Sequence, residues 1–149
     1  MIKEEFKLEN QLCFRLYTAS RLITQTYHPL LSAHGLTYPQ YLVLMVLWEK
    51  DAQPVNDIAR RLYLETNTVT PLLQRMEKEG ILARVKGKKD ARQMIVTLTK
   101  KGKDLQMQLS DVPVAVGESV LGGSVTPETM PDLFHKLDDM IAKLSNKAQ

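Results

Sequence analysis

The chain has 149 residues, enough for one domain with a sizeable core, and its 44% hydrophobic and 25% charged content excludes collagenous, disordered and disulfide-rich classes. No run of about eighteen apolar residues occurs, and the opening MIKEEFKLEN is charged where a signal peptide would be apolar, so a cytoplasmic protein without a membrane partner is expected. The net charge of +3 is modest, but Arg84, Lys86, Lys88, Lys89, Arg92, Lys100, Lys101 and Lys103 face only Asp90 and Asp104 within one segment, which suggests a polyanionic partner.

The first helix is expected from about Asn10 to Leu31, with Leu12, Leu16, Ala19, Ile23 and Leu30 among its apolar positions, and His34-Gly35 ends it. Thr37-Tyr38-Pro39-Gln40 reads as a capping box for the next helix, whose run YLVLMVLWEK is apolar almost all round and therefore buried on most sides. A short helix follows Pro54, with Val55, Ile58, Ala59 and Leu62 on one face. Another begins near Asn67, its cap there or one residue later because of Pro71, and stops at Gly80. Two β-prone runs, ILARVK and MIVTLT, flank the basic loop GKKDARQ and make a hairpin. Two helices close the chain. Pro113 and Gly117 interrupt the first; Thr126 caps the last, Pro127 suits its first turn, and Met130, Leu133, Phe134, Leu137, Met140, Ile141 and Leu144 form its stripe.

Helix, tight turn, helix and basic hairpin is the order of a winged helix-turn-helix. In the second helix of the pair, Val69, Leu72, Leu73 and Met76 share a core-facing third of the circumference. Asn67, Thr68, Thr70, Gln74, Arg75 and Lys78 lie on the other side: amides and hydroxyls suited to base edges, then cations suited to phosphate. In the hairpin loop, Asp90 is two residues from Arg92 and can hold its guanidinium aimed at a narrow minor groove, with Lys86, Lys88 and Lys89 along phosphates. An ordinary amphipathic helix beside a solvated basic face is the plainer alternative, and the two features occurring together argue against it.

The run DIARRLYLETNTVTPLLQRMEKEGILARVKGKKDARQMIVTLTKKG resembles the DNA-binding core of the MarR (multiple antibiotic resistance regulator) family, and Asp90-x-Arg92 matches that family's wing motif. More narrowly, LENQLCFRLYTASR with LTYPQYLVLMVLWE is similar to the organic-hydroperoxide resistance repressors and their thiol-based relatives. The likeness covers roughly Leu8 to Gly102; beyond that it lies mainly in helical layout. It implies a mainly α fold with a small β-hairpin wing: a winged helix-turn-helix core at about 36–102, flanked by dimerisation helices at about 6–33 and 103–145, in one domain over 1–149. It further implies a homodimer and a repressor that leaves a pseudo-palindromic double-stranded DNA operator when Cys13 is oxidised by an organic hydroperoxide, with a low-molecular-weight thiol as a further partner. In that subgroup tyrosine hydroxyls bind the thiol, and the matching positions are Tyr27 and Tyr38, with Tyr17 near in sequence. The family's two-cysteine branch has a second, resolving cysteine; this sequence has only Cys13.

Cys13 would sit in the first turn of a helix that Asn10 could cap, where free amides and the macrodipole favour an anion. Tyr17 is one turn away on the same face and could donate to the sulfur. Tyr27 is fourteen residues on, roughly 21 Å along the axis, so it could reach only the Cys13 of an antiparallel second copy. Three rivals stand beside this reading: induction by a small aromatic or phenolic ligand, a one-cysteine thiol peroxidase, and a metal sensor built on His28, His34 and His135. The pattern around Cys13 is not a peroxidase's, and two histidines six apart without a cysteine are a poor zinc set. No Gly-rich phosphate loop or Ser/His/Asp constellation is apparent. No enzyme, cofactor or metal is expected.

Overall fold

The computed structural model describes residues 1–147. Two short 3₁₀ turns, Glu4–Phe6 and Leu8–Asn10, lead into α1 (Leu12–Ser32). The cap position is Gln11, not Asn10, and no side chain caps it. The Asn10 amide is used elsewhere, donating 2.8 Å to the Glu4 carbonyl. Of the twenty-one residues of α1 only Leu31 is buried, which leaves Leu12, Phe14, Leu16, Leu22 and Ile23 exposed along the helix.

Helix α2 (Tyr38–Glu49) opens on the expected capping box: Gln40 N–H donates to Thr37 Oγ1, and the Thr37 amide donates 3.0 Å to Gln40 Oε1. Its Tyr41, Val43, Leu44, Val46 and Leu47 are buried, so it forms the centre of the domain; Met45 is the exposed exception. A two-residue strand, β1 (Gln53–Pro54), precedes α3 (Val55–Arg61) and α4 (Thr66–Lys78). The α4 cap is Glu65, two residues before the expected Asn67, so Pro71 lies inside the helix and leaves the Asn67 carbonyl without its helical donor. Val69, Leu72, Leu73 and Met76 are buried as the periodicity required. Gly80, at φ +72°, closes α4 by letting the Ile81 amide return 3.0 Å to the Met76 carbonyl.

Strands β2 (Leu82–Lys86) and β3 (Met94–Leu98) pair antiparallel, Leu82 opposite Leu98 and Lys86 opposite Met94. The hairpin is one strand larger than expected, because β1 pairs on the other side of β3 in the order β1-β3-β2. Such a short strand containing a proline carries no alternation to read.

The expected penultimate helix is two: α5 (Lys100–Gln108) and α6 (Val112–Val120). Pro113 starts α6 rather than interrupting a longer helix. Helix α7 (Met130–Lys147) begins four residues after Thr126, which instead forms a lead-in turn: Thr126 N–H donates 2.8 Å to Thr129 Oγ1 and the Thr129 amide donates 3.3 Å back. The core joins Val43, Leu44 and Leu47 to Ile58, Val69, Leu73, Met76, Ile81, Leu82 and Val96, and extends through Leu105, Leu109, Val112 and Val116 towards α1. The stripe of α7 is not part of it: Leu133, Phe134, Ile141 and Leu144 are exposed, Phe134 at 56% and Leu144 at 67%. No helix is long and apolar enough to cross a membrane among the described residues.

Candidate nucleic-acid interface and thiol site

The exposed side of α4 carries Asn67, Thr68, Gln74, Arg75 and Lys78. Thr70 is half-buried, and its hydroxyl donates 2.8 Å to the Thr66 carbonyl, so of the six expected reader residues it is the one turned back on its own helix. Thr66 and Asn56 were not foreseen. The Thr66 hydroxyl donates 3.1 Å to Asn56 Oδ1, and both line a cleft of about 510 Å³ between the first turns of α3 and α4 and the wing, with Arg84, Asp90 and Arg92 on its far side. Their places at the starts of α3 and α4 were the only signal available.

The wing tip is built around Asp90. Its carboxylate accepts from Arg92 Nε at 3.1 Å, Arg92 Nη2 at 3.2 Å and the Arg92 amide at 3.0 Å, which holds the carboxyl below its ordinary value. The guanidinium so oriented is 91% exposed. Gly87 is required for this turn, since a Cβ there would lie 2.6 Å from the Asp90 carbonyl oxygen. Lys86, Lys88 and Lys89 are exposed around it.

The basic segment is not one field of free charge. Arg84 clasps Glu77 through its amide, Nε and Nη2 at 2.9–3.1 Å, tying β2 to α4 and lowering the Glu77 carboxyl. Lys100 pairs with Asp104 at 2.7 Å, Lys103 lies 3.8 Å from Asp51, and Lys101 donates 2.9 Å to the Glu79 carbonyl at the end of α4. Four of the eight cations therefore serve the fold, and the other four crown the wing.

Cys13 is exposed, the second residue of α1. No hydrogen bond joins it to Tyr17, which is 69% exposed, so the expected contact within one chain is not made. Tyr27 and Tyr38 do come together: their ring centroids are 4.7 Å apart, with Tyr41 5.7 Å from Tyr27. Burial pushes all three phenols up, so each keeps its proton to donate. Tyr41 was not singled out from the sequence, although it follows Tyr38 by one helical turn. Tyr38 also lines a groove of about 450 Å³ whose walls include Leu31, Leu36 and Pro39, with Arg21 and His28 beside them. Among the described residues, no three of His, Cys, Asp and Glu converge as a metal site.

A basic wing beside a polar, outward-facing second helix defines the class: a winged helix-turn-helix DNA-binding protein. Residues 25–109 match the family profile "Transcriptional regulator SarA/Rot". The chain is 44% identical over 141 residues to the organic hydroperoxide resistance transcriptional regulator of Bacillus subtilis strain 168, covering 94% of this chain and 96% of that one. Reduced AbfR bound to DNA, a protein of Staphylococcus epidermidis, superposes with a TM-score of 0.77 at 39% identity, covering 95% of this chain and 98% of that one. Disulfide-formed AbfR gives 0.65 at 38% identity, covering 96% and 95%. The chain belongs to the SarA/Rot transcriptional regulators, MarR-type winged-helix proteins, as its motifs suggested.

Proposed function

We propose that this protein is a homodimeric, redox-sensing transcriptional repressor, one domain with dimerisation helices at both ends, which leaves its operator when Cys13 is oxidised by an organic hydroperoxide. The observation that carries it is the solitary cysteine, exposed in the first turn of a helix whose apolar side chains are left uncovered, in a chain that also holds a reading helix and wing. The exposed faces of α1 and α7 support a second copy as the cover, packed so that one protomer's Cys13 meets its partner's tyrosine pair. The likeness to the hydroperoxide regulator and to AbfR supports the oxidant and the DNA partner. AbfR is known both on DNA, reduced and overoxidised, with TM-scores of 0.77 and 0.78 to this chain, and in a disulfide form with a score of 0.65, which supports a DNA-competent conformation for the chain described here.

The chemistry follows from the residues. Protonated Tyr27 and Tyr38 hydroxyls donate to the Cys13 thiolate. Its sulfur attacks the terminal peroxide oxygen; an S–O bond forms, the O–O bond breaks, and the alkoxide leaves to take up a proton as the alcohol. Sulfur loses two electrons and the peroxide gains them. With no second cysteine in this sequence, the sulfenic acid goes on to a mixed disulfide with a small thiol, releasing water, or to a backbone sulfenamide, an intersubunit disulfide or overoxidation. The adduct parts the packed helices and moves the two reading heads off half-sites about ten base pairs apart. Within the reading head, Asn67, Thr68, Gln74, Arg75 and Lys78 face the major groove, Arg92 enters the minor groove, and Lys86, Lys88 and Lys89 bind phosphate.

The test is DNA retention with intact mass measured in parallel. Wild-type protein treated with cumene hydroperoxide gains the mass of the oxidised or thiolated cysteine and releases operator, while Cys13→Ser binds equally well and stays bound. Release of Cys13→Ser at the same dose overturns the redox reading and favours a small-molecule inducer.

A further inference from the structure

The tyrosine pair does not end at the thiol site. Tyr41 lies between Tyr27, at 5.7 Å, and Trp48, whose ring it meets edge to face at 6.1 Å and 73°. Trp48 is half-buried, and its indole N–H donates 2.9 Å to the Gly102 carbonyl in the first turn of α5.

That turn is fastened to the C-terminal end of the reading helix. The Thr99 amide donates 3.1 Å to the Ile81 carbonyl, and the Thr99 hydroxyl reaches the Gly80 carbonyl at 2.6 Å and the Ile81 carbonyl at 2.9 Å. The Gly102 backbone approaches so closely that a Cβ would lie 2.2 Å from the Ile81 oxygen. A chain of aromatic contacts and one hydrogen bond therefore join the tyrosines to the place where the start of α5 is fastened to the end of α4.

We propose that Trp48 is a positioning residue that transmits the state of the thiol site to the reading helix, through Tyr41 on one side and the Gly102 carbonyl on the other. This rests on the redox reading above. Displacement of Tyr27 or Tyr38 by the oxidised sulfur moves Tyr41, Tyr41 moves the indole, and the indole carries the first turn of α5 and the end of α4 with it. Packed elements of this kind shift between discrete arrangements rather than deform smoothly.

Two measurements test it. Trp48 is the only tryptophan, so intrinsic fluorescence of the unmodified dimer reports on this joint alone. Its emission is expected to change in step with oxidation in wild type and not in Cys13→Ser. The second is the ratio of operator affinity before and after cumene hydroperoxide. Trp48→Phe keeps a ring against Tyr41 but lacks the N–H donor, and is expected to lower that ratio by roughly threefold to tenfold, the worth of one hydrogen bond, with reduced-state affinity little changed. Oxidation that releases wild-type DNA with unmoved emission, or a Trp48→Phe ratio equal to wild type, overturns the inference alone. Wild-type protein that keeps its DNA after oxidation overturns the redox reading beneath it. Should Trp48→Phe fail to fold, the wild-type emission decides.

Discussion

The division of the basic segment into structural and free cations leads to a salt-dependence that a uniform basic patch would not give. Consider Lys88→Gln with Lys89→Gln. Both lysines are exposed at the wing, and neither makes an ion pair among the described residues. In a dimer the double variant removes four phosphate contacts. Each contact contributes about 0.9 to the slope of log affinity against log salt, so the slope falls by roughly 3.6. Between 50 and 200 mM salt, wild-type affinity therefore drops about 150-fold further than the variant's does. The matched control is Lys101→Gln with Lys103→Gln. These two cations are already committed, to the Glu79 carbonyl and to Asp51, and their removal is expected to change the slope by less than about one unit. Fluorescence anisotropy of a labelled duplex across a salt series measures both, and random-sequence DNA suffices because the term is independent of sequence. Equal slope changes in the two variants would refute the partition, and an unchanged slope for Lys88→Gln, Lys89→Gln would refute the wing assignment.

The Arg84–Glu77 clasp sets a pH window. Arg84 holds the Glu77 carboxyl below its ordinary 4.5, so the clasp stabilises the fold fully above that value and is lost as pH falls through the lowered one. The melting temperature of Glu77→Gln should lie below wild type by a constant gap from pH 7 to 5, and the gap should narrow on further acidification as pH falls through the lowered value; a gap that does not narrow at all down to acid unfolding contradicts the assignment. Gly102→Ala forces a Cβ to within 2.2 Å of the Ile81 oxygen, about 1 Å inside contact distance, at a cost of ~1–3 kcal/mol. Melting at a fixed protomer concentration should fall by roughly 5 °C, and a wild-type melting temperature would show that the joint is looser than described.

Much of the reading head was legible because each of its parts obeys a local rule. The buried face of α4 follows from a 100° period, the capping box of α2 from Thr37 and Gln40, and the Asp90–Arg92 clasp from two residues that cannot avoid one another in a tight loop. The misses share a cause. Glu65 replaces Asn67 as the cap although its side chain caps nothing, so no side-chain preference could have pointed to it. Strand β1 exists only because β3 offers it an edge. The split between α5 and α6 hides in a chain where Pro113 fits either a break or a beginning. Arg84 could not be told from a phosphate-binding cation until the fold brought Glu77 beside it. Cys13 was legible as a residue, its tyrosine partners only through the family resemblance, and in the proposed dimer those partners come from the second copy.

That last point decides how the switch can work. Fourteen residues of straight helix separate Cys13 from Tyr27, so in the proposed dimer the sensor is complete only where two protomers meet. The same packing fixes the distance between the reading heads, so oxidation need not damage either head to abolish binding. Moving an equilibrium from almost fully bound to almost fully released takes about 5.5 kcal/mol, or roughly 2.7 kcal/mol at each of two equivalent thiols. Hydrogen bonds to a charged acceptor contribute about 1.5–3 kcal/mol each. Two phenols, Tyr27 and Tyr38, donating to one thiolate are enough, and a single phenol falls at the margin. Tyr27→Phe and Tyr38→Phe should therefore each leave a repressor that binds DNA but responds more weakly to peroxide, and the double variant should hold its reduced operator complex less firmly than either.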